Sequence, residues 1–456
     1  LFCKKLVGWI KCREQHREKA MSAEHYIPRN SRGFNKLLKL SYGSWLKYVY
    51  RIRHEGDGFL KELKPPYIIV ANHVTTRDPF IIGMHCPEPI YWITGDGVMR
   101  TSFIRFFLGL VGSIPKSKAI PDIKTISWVM DVVRKRKGVV GVFPEGQQSW
   151  DGHTLPITPA SAKLVKLLKV PVVAVRIKGA YMALPRWTWQ RRRGKVTAEW
   201  ELILGPEELR ALPVEDILAR LEAGIAHDES SYEEREAIEF RSTRRAEFIE
   251  LSLFMCPDCE GVGRLRSRGN RLHCGACGST FILDRYGRFR KPGGASPRFR
   301  TIRDWDQWQK GAFGAAVGLA AAASREGGSC DSALGDPRKP SRPFISDPGA
   351  VLFHGRRMNP LRRIRTGTLV LYPDRLELAT LLGERLAFPL ADLDGVGVLK
   401  RNQLEFYHHR DLYQVRFALR MISARKWAEA ISLFKQRADS RQGEETTQRH
   451  AEGRRI

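Results

Sequence analysis

The stretch Tyr67-Ile68-Ile69-Val70-Ala71 narrows the folds open to this chain more than any other. It is short, apolar and rich in β-branched residues, and so reads as a buried strand. The run ends abruptly in Asn72-His73, and Asp78-Pro79 then has the form of a helix start, with Asp as N-cap and Pro at the first helical position. A histidine and an aspartate are thereby expected at the C-terminal edge of a strand, where open α/β sheets bind ligands. Such a pair can act as a general base and its orienter. Taken locally, capping explains Asp78 and a loop position explains His73.

Similar runs recur at Ile90–Thr94, Val139–Phe143, Val170–Ile177 and Trp200–Leu204, separated by helix-like segments Pro79–Met84, Thr101–Leu110, Ile123–Lys135 and Pro159–Leu168. This alternation predicts an α/β domain with a mostly parallel sheet. Ser102–Val111, which holds Phe103, Phe106 and Phe107, reads by default as core. The run from Val139 ends in Phe143-Pro144-Glu145-Gly146, a turn presenting a carboxylate. Gly112–Lys118 is a third strand-like end, carrying Lys116 and Lys118. If the three ends share one rim, they bring together a base, a carboxylate and a cation, a set suited to acyl transfer onto a phosphate-bearing alcohol.

In these motifs the chain resembles the glycerolipid acyltransferases, the lysophosphatidic acid acyltransferase family. His73 and Asp78 match its HxxxxD motif and Phe143–Gly146 its FPEG motif. Gly112–Lys118 and Val170–Val173 resemble its intermediate and final motifs, so the likeness covers about residues 35–225. The resemblance implies that His73 deprotonates the acceptor hydroxyl, which attacks an acyl thioester, while Asp78 holds the imidazole in its working tautomer. It implies acyl-CoA or acyl carrier protein as donor and a lysophospholipid as acceptor, most simply 1-acylglycerol 3-phosphate. Asn72, Glu145 and Gly146 would contact substrate, and Lys116 or Lys118 would meet the phosphate. Ser102–Val111 could then line a channel for the acyl chain. Four positions depart from the pattern: Gln147-Gln148 replaces a Thr or Ser followed by Arg, Lys118 replaces Arg, and Ala174 replaces Pro.

Cys256-Pro257-Asp258-Cys259 and Cys274-Gly275-Ala276-Cys277, with 14 residues between the pairs, resemble a zinc ribbon. Four thiolates close a tetrahedral shell, so the zinc is expected to be structural; iron or a redox pair are the other uses of such cysteines.

The net charge of +28 implies an anionic partner: nucleic acid, an anionic membrane surface or an acidic substrate. Residues 1–60 carry 13 Lys and Arg against 5 Asp and Glu, and Phe34–Tyr50 reads as a basic, aromatic-rich amphipathic helix. That helix either lies in a membrane interface or packs on the next domain. No run of 18 apolar residues is present, so a peripheral position on the cytoplasmic side of a membrane is expected. Nucleic acid is the disfavoured partner, kept as the alternative of a zinc-containing nucleic-acid or regulatory binding protein. The strand-rich stretch from about 350, closed by a helix at Ala424–Lys435, resembles pleckstrin-homology or GRAM-type domains in architecture. The expected division is a basic N-terminal region (1–60), an acyltransferase domain (61–250), a zinc-ribbon-like module (251–290), a linker (291–347), a PH/GRAM-like domain (348–437) and a disordered tail (438–456).

Overall fold

The structure, a computed structural model, describes residues 26, 28–117, 123–326 and 343–452. Two compact units divide the chain, the first mainly residues 28–242 and the second mainly 243–452.

A seven-stranded sheet organises the first unit: β1 (Arg53–Glu55), β2 (Ile68–Ala71), β3 (Ile90–Gly95), β4 (Ile114–Lys116), β5 (Val139–Val142), β6 (Val172–Lys178) and β7 (Thr197–Leu204), in the order β1-β7-β6-β2-β5-β3-β4. β2 pairs in parallel with β5 and β6, and β3 in parallel with β4 and β5; the one antiparallel contact is β6 with β7. All four residues of β2 are buried, as a strand covered on both faces requires. Ile68 and Val70 meet Val140, Val172 and Ala174 in a core closed by helices at Ile123–Arg134, Pro159–Leu168 and Val214–Ile225. β2 is the middle strand, so the segment leaving it emerges at the centre of the sheet edge.

Among the described residues, three helical segments precede the sheet: α1 (Arg32–Leu38), a π-helical turn (Lys39–Gly43) and α2 (Ser44–Tyr50). One side of this stretch packs on the domain and the other faces outward. Leu46 and Tyr50 are buried, whereas Leu37 and Leu40 are exposed and Tyr48 is 83% exposed. Helix α3 (Asp78–Gly83) follows β2, and α4 (Ser102–Leu110) follows β3. α4 overturns the core expectation for its stretch. Phe103 is 72% and Phe106 50% exposed, while its buried positions are Arg105 and Gly109. Apolar residues occupy most of this helix, so periodicity could not say which face turns inward.

The second unit holds a four-stranded antiparallel sheet, β8 (Leu265–Arg268), β9 (Arg271–Cys274), β10 (Thr280–Leu283) and β11 (Phe289–Arg290). The stretch read as a linker contains a helix, α5 (Ile302–Glu326), which buries Trp305, Phe313 and Val317. Its Ala-rich composition suits a helix, and its sparse large side chains made it resemble low-complexity sequence. Seven antiparallel strands follow, β12 (Ile345–Gly355), β13 (Arg362–Leu371), β14 (Arg375–Thr380), β15 (Arg385–Pro389), β16 (Leu393–Leu399), β17 (Gln403–His408) and β18 (Asp411–Phe417), in the order β15-β14-β13-β12-β18-β17-β16. The final helix, α6 (Ala424–Glu452), extends into the tail expected to be disordered.

Candidate active site

Parallel pairing points the C-terminal ends of β2, β3, β4, β5 and β6 to one edge of the sheet. His73 lies two residues beyond β2, and Glu145 three beyond β5, its direct neighbour. The register aligns Val70 with Val142, so each side chain stands three residues past the same rung. Adjacency therefore follows from the sheet, and it is realised as a hydrogen bond: the His73 backbone N–H donates to Glu145 Oε1 at 2.6 Å.

His73 Nδ1 lies 2.8 Å from Asp78 Oδ2, and Asp78 is completely buried. The same oxygen accepts the backbone N–H groups of Val74 (2.7 Å) and Thr75 (2.9 Å). Asp78 was expected to cap the following helix. Instead Arg77 is the N-cap, Asp78 is the first helical residue, and its carboxylate folds back onto the loop it terminates. With a carboxylate accepting at Nδ1, the imidazole carries its proton there, which leaves Nε2 as the basic atom. The ring is also held by its faces. Phe143 stacks on it with centroids 4.2 Å apart, and Trp92 stacks on Phe143 at 4.8 Å. The sequence pattern offered Phe143 as part of a motif but gave no sign that it stacks on the base; Trp92 had no signal beyond strand alternation.

Glu145 is buried, and its second oxygen accepts Leu155 N–H at 2.7 Å. Burial pushes its carboxyl up to about 8, against the pull of those two backbone donors. Both oxygens therefore brace the loops on either side of the site. Asn72, expected at the substrate, is likewise engaged elsewhere. Its amide donates to Ile177 O (3.0 Å) and accepts from Ile177 N–H (2.7 Å), clamping β2 to β6. Gly146 adopts φ +70°, a turn conformation that an L side chain would strain. Lys116 ends β4 with its side chain exposed, at the same sheet edge as His73, and Lys118 lies outside the described residues.

A cavity of about 230 Å³ adjoins the loop between β2 and α3. Thr76, Pro79 and Phe80 of the loop and α3 line it together with Tyr42, Trp92, Ile104 and Leu108. α4 thus contributes Ile104 and Leu108 to this mainly apolar cavity.

In the second unit, Cys256, Cys259, Cys274 and Cys277 bring their sulfurs within 4.8 Å of one another. The Cys256–Cys277 and Cys259–Cys274 separations are 3.8 and 3.7 Å. A tetrahedron with metal–sulfur bonds of about 2.3 Å has edges of about 3.8 Å, so this donor set fits such a metal. Two equivalent turns produce it. Glu260 N–H donates to Cys256 O and Gly278 N–H to Cys274 O, with both donors at positive φ.

The acyltransferase family profile matches residues 51–178, a span that contains His73, Asp78 and Glu145. A Saccharomyces cerevisiae protein named 1-acyl-sn-glycerol-3-phosphate acyltransferase is 30% identical over 149 residues, covering 32% of this chain and 46% of that one. The Caenorhabditis elegans protein acl-1 is 27% identical over 121 residues, or 24% of this chain and 43% of that one. The chain thus spans less than half the length of these relatives. Among solved structures, the 1-acyl-sn-glycerophosphate (LPA) acyltransferase PlsC of Thermotoga maritima is 19% identical with a TM-score of 0.38, over 52% of this chain and 90% of that one.

Proposed function

We propose that the acyltransferase-family domain carried by this chain is the catalytic part of a membrane-associated O-acyltransferase. It moves a fatty acyl group from acyl-CoA or acyl carrier protein to the free hydroxyl of a lysophospholipid, with 1-acylglycerol 3-phosphate as the first choice of acceptor. The observation that carries this reading is the 2.8 Å contact from His73 Nδ1 to a fully buried Asp78, beside an apolar cavity.

The chemistry follows from that pair. His73 Nε2 takes the acceptor's hydroxyl proton as the oxygen attacks the thioester carbonyl. The tetrahedral adduct collapses with loss of the thiolate, and the imidazolium returns the proton to sulfur. Asp78 holds the ring and offsets the imidazolium charge; no covalent enzyme intermediate is needed. The acyl chain occupies the cavity beside Phe80, Trp92 and Leu108. Lys116, and Lys118 with it, meets the acceptor phosphate as a point charge. The acceptor's glycerol part lies against the Glu145–Gly146 turn, whose carboxylate keeps lone pairs beyond those already engaged.

Membrane attachment is part of the same proposal, supported by the exposed Leu37, Leu40 and Tyr48 beside Lys36 and Lys47. Among the described residues no helix is long and apolar enough to cross a bilayer. The four-cysteine cluster is proposed to hold a structural zinc, which would tie its two turns together.

The deciding experiment incubates the purified protein with labelled acyl-CoA and a panel of lysolipids and identifies the product. His73→Ala should cost on the order of 10³-fold in rate while leaving the fold intact. Near-normal rates in that variant would remove the mechanism.

A further inference from the structure

Arg77 stands immediately before Asp78 in the catalytic loop, and the chemistry above makes no use of it. Its guanidinium carbon lies 5.8 Å from the Trp45 ring centroid and 6.0 Å from that of Tyr50, both on α2. Arg191, in the segment before β7, approaches the same Trp45 ring at 5.5 Å. Two cations thus share one indole, and neither pairs with a carboxylate among the described residues. Like charges so placed repel, and cation–π attraction to the shared indole offsets only part of that repulsion.

Three polar atoms in this cluster also lack partners. Arg77 Nε and Nη1 are buried and form no hydrogen bond among the described residues, and neither does the hydroxyl of Tyr50, a residue only 2% exposed. Burial pushes the Tyr50 hydroxyl up, and the charges of Arg77 and Arg191 pull it back down, so all three share one electrostatic neighbourhood. Buried donors rarely go unsatisfied in native proteins, and a group of them without an acceptor calls for an occupant. Every free group here can donate, and the fixed charges are positive, so the occupant is an oxyanion. A carboxylate would present two coplanar oxygens, both spent on one arginine fork. A phosphate presents oxygens in several directions and can meet two guanidinium groups and a phenol together.

The neighbourhood narrows the ligand further. Trp45 stacks on Tyr42 with ring centroids 5.6 Å apart, and Tyr42 lines the apolar cavity together with Thr76. Cationic and apolar surfaces therefore meet at Tyr42 and Trp45, which suits a molecule with a phosphate at one end and a hydrocarbon chain at the other. We infer that Arg77, Arg191 and Tyr50 form a binding site for a phosphate-bearing molecule beside the His73–Asp78 pair. The site stands on its own geometry; its assignment to a substrate rests on the acyl-transfer reading. Both substrates of that reaction qualify, since a lysophosphatidate carries a phosphomonoester and coenzyme A carries several phosphates.

Calorimetric titration of inorganic phosphate into the full chain separates these statements. Wild type and His73→Ala should bind phosphate alike, whereas Arg77→Gln should bind about tenfold more weakly. Arg191→Gln and Tyr50→Phe should each lose about threefold or more, and Tyr50→Phe removes one oxygen while keeping the packed ring. Equal affinity in wild type and Arg77→Gln, or no saturable binding in wild type, would overturn the site. Competition then identifies the source. Displacement of phosphate by glycerol 3-phosphate assigns the site to the acceptor, and displacement by adenosine 3′,5′-bisphosphate assigns it to the donor. Displacement by neither refutes the substrate assignment. Because the readout is binding and persists in His73→Ala, failure of the acyl-transfer reading would leave this result intact.

Discussion

One carboxylate oxygen, Asp78 Oδ2, collects the His73 ring and two backbone N–H groups, so the loop and the base are fixed by the same atom. That economy was partly legible in the sequence. The residue types and their spacing pointed to the pair, while the expected role as helix cap was a local inference that tertiary geometry replaced. The clamp from Asn72 to Ile177 was not legible for a related reason: whether a buried amide faces a ligand or a neighbouring strand depends on sheet order, which one sequence does not display. Glu145 yields a pH prediction. Its ordinary value of 4.5 describes the unfolded chain, and burial raises it to about 8 in the fold. The folded state therefore holds that proton more tightly. Its contribution to stability is complete below pH 4.5 and is lost as pH rises through about 8. Glu145→Gln has no such proton, and its amide NH2 turns toward a backbone N–H that is then left without an acceptor, at a cost of about 1–3 kcal/mol. In urea unfolding the wild type should exceed this variant at pH 5, with the gap closing toward pH 8. A gap that stays constant would mean that Glu145 is ionised throughout.

Elements were legible where burial and pattern agree. β2 and β5 are continuous apolar runs and form as expected, because a central strand of a parallel sheet is covered on both faces. β12 escaped notice because Asp347-Pro348-Gly349 has the composition of a turn; the structure absorbs it as a register shift between Asp347 and Ala350. α4 was recognised as a helix and misplaced in the core. Its Phe107 approaches Phe34 of α1, with ring centroids 5.9 Å apart, so the two helices present one apolar patch. Exposed lysines at 36 and 47 neighbour it on the preceding helices. Inserting an exposed phenylalanine into lipid is worth about 1.5–3 kcal/mol. Phe103→Ser with Phe106→Ser should therefore lower flotation with anionic vesicles by about tenfold or more. Both residues are largely exposed, so the melting temperature should hardly move. Unchanged flotation would place the membrane contact elsewhere.

At the scale of the whole molecule the charge of +28 had three readings, and the exposed apolar patch on the first unit favours the membrane surface among them. The second unit is held by its own network, and the cysteine turns are tied into it. Gln309 on α5 accepts Phe254 N–H at 2.7 Å and Met255 N–H at 2.9 Å, immediately before Cys256. Trp305 Nε1 donates to Met255 O at 2.9 Å, and Arg425 on α6 pairs with the fully buried Asp306 of α5. A metal at the four sulfurs would therefore stabilise more than its own turns, because the chain entering the first turn is hydrogen-bonded to a helix that bears the buried Trp305. Metal binding that requires a folded site adds its free energy to folding. Purified protein should contain about one equivalent of zinc, and a strong chelator should lower the melting temperature and shift tryptophan emission as Trp305 loosens. Cys259→Ser isolates the metal's contribution, since Cys259 is exposed and its replacement leaves no cavity in a core. That variant should behave like the chelated wild type and gain nothing from added zinc. Less than half an equivalent of zinc or iron in the wild type, or a Cys259→Ser protein as stable as the untreated wild type, would show that the turns are held by hydrogen bonds alone.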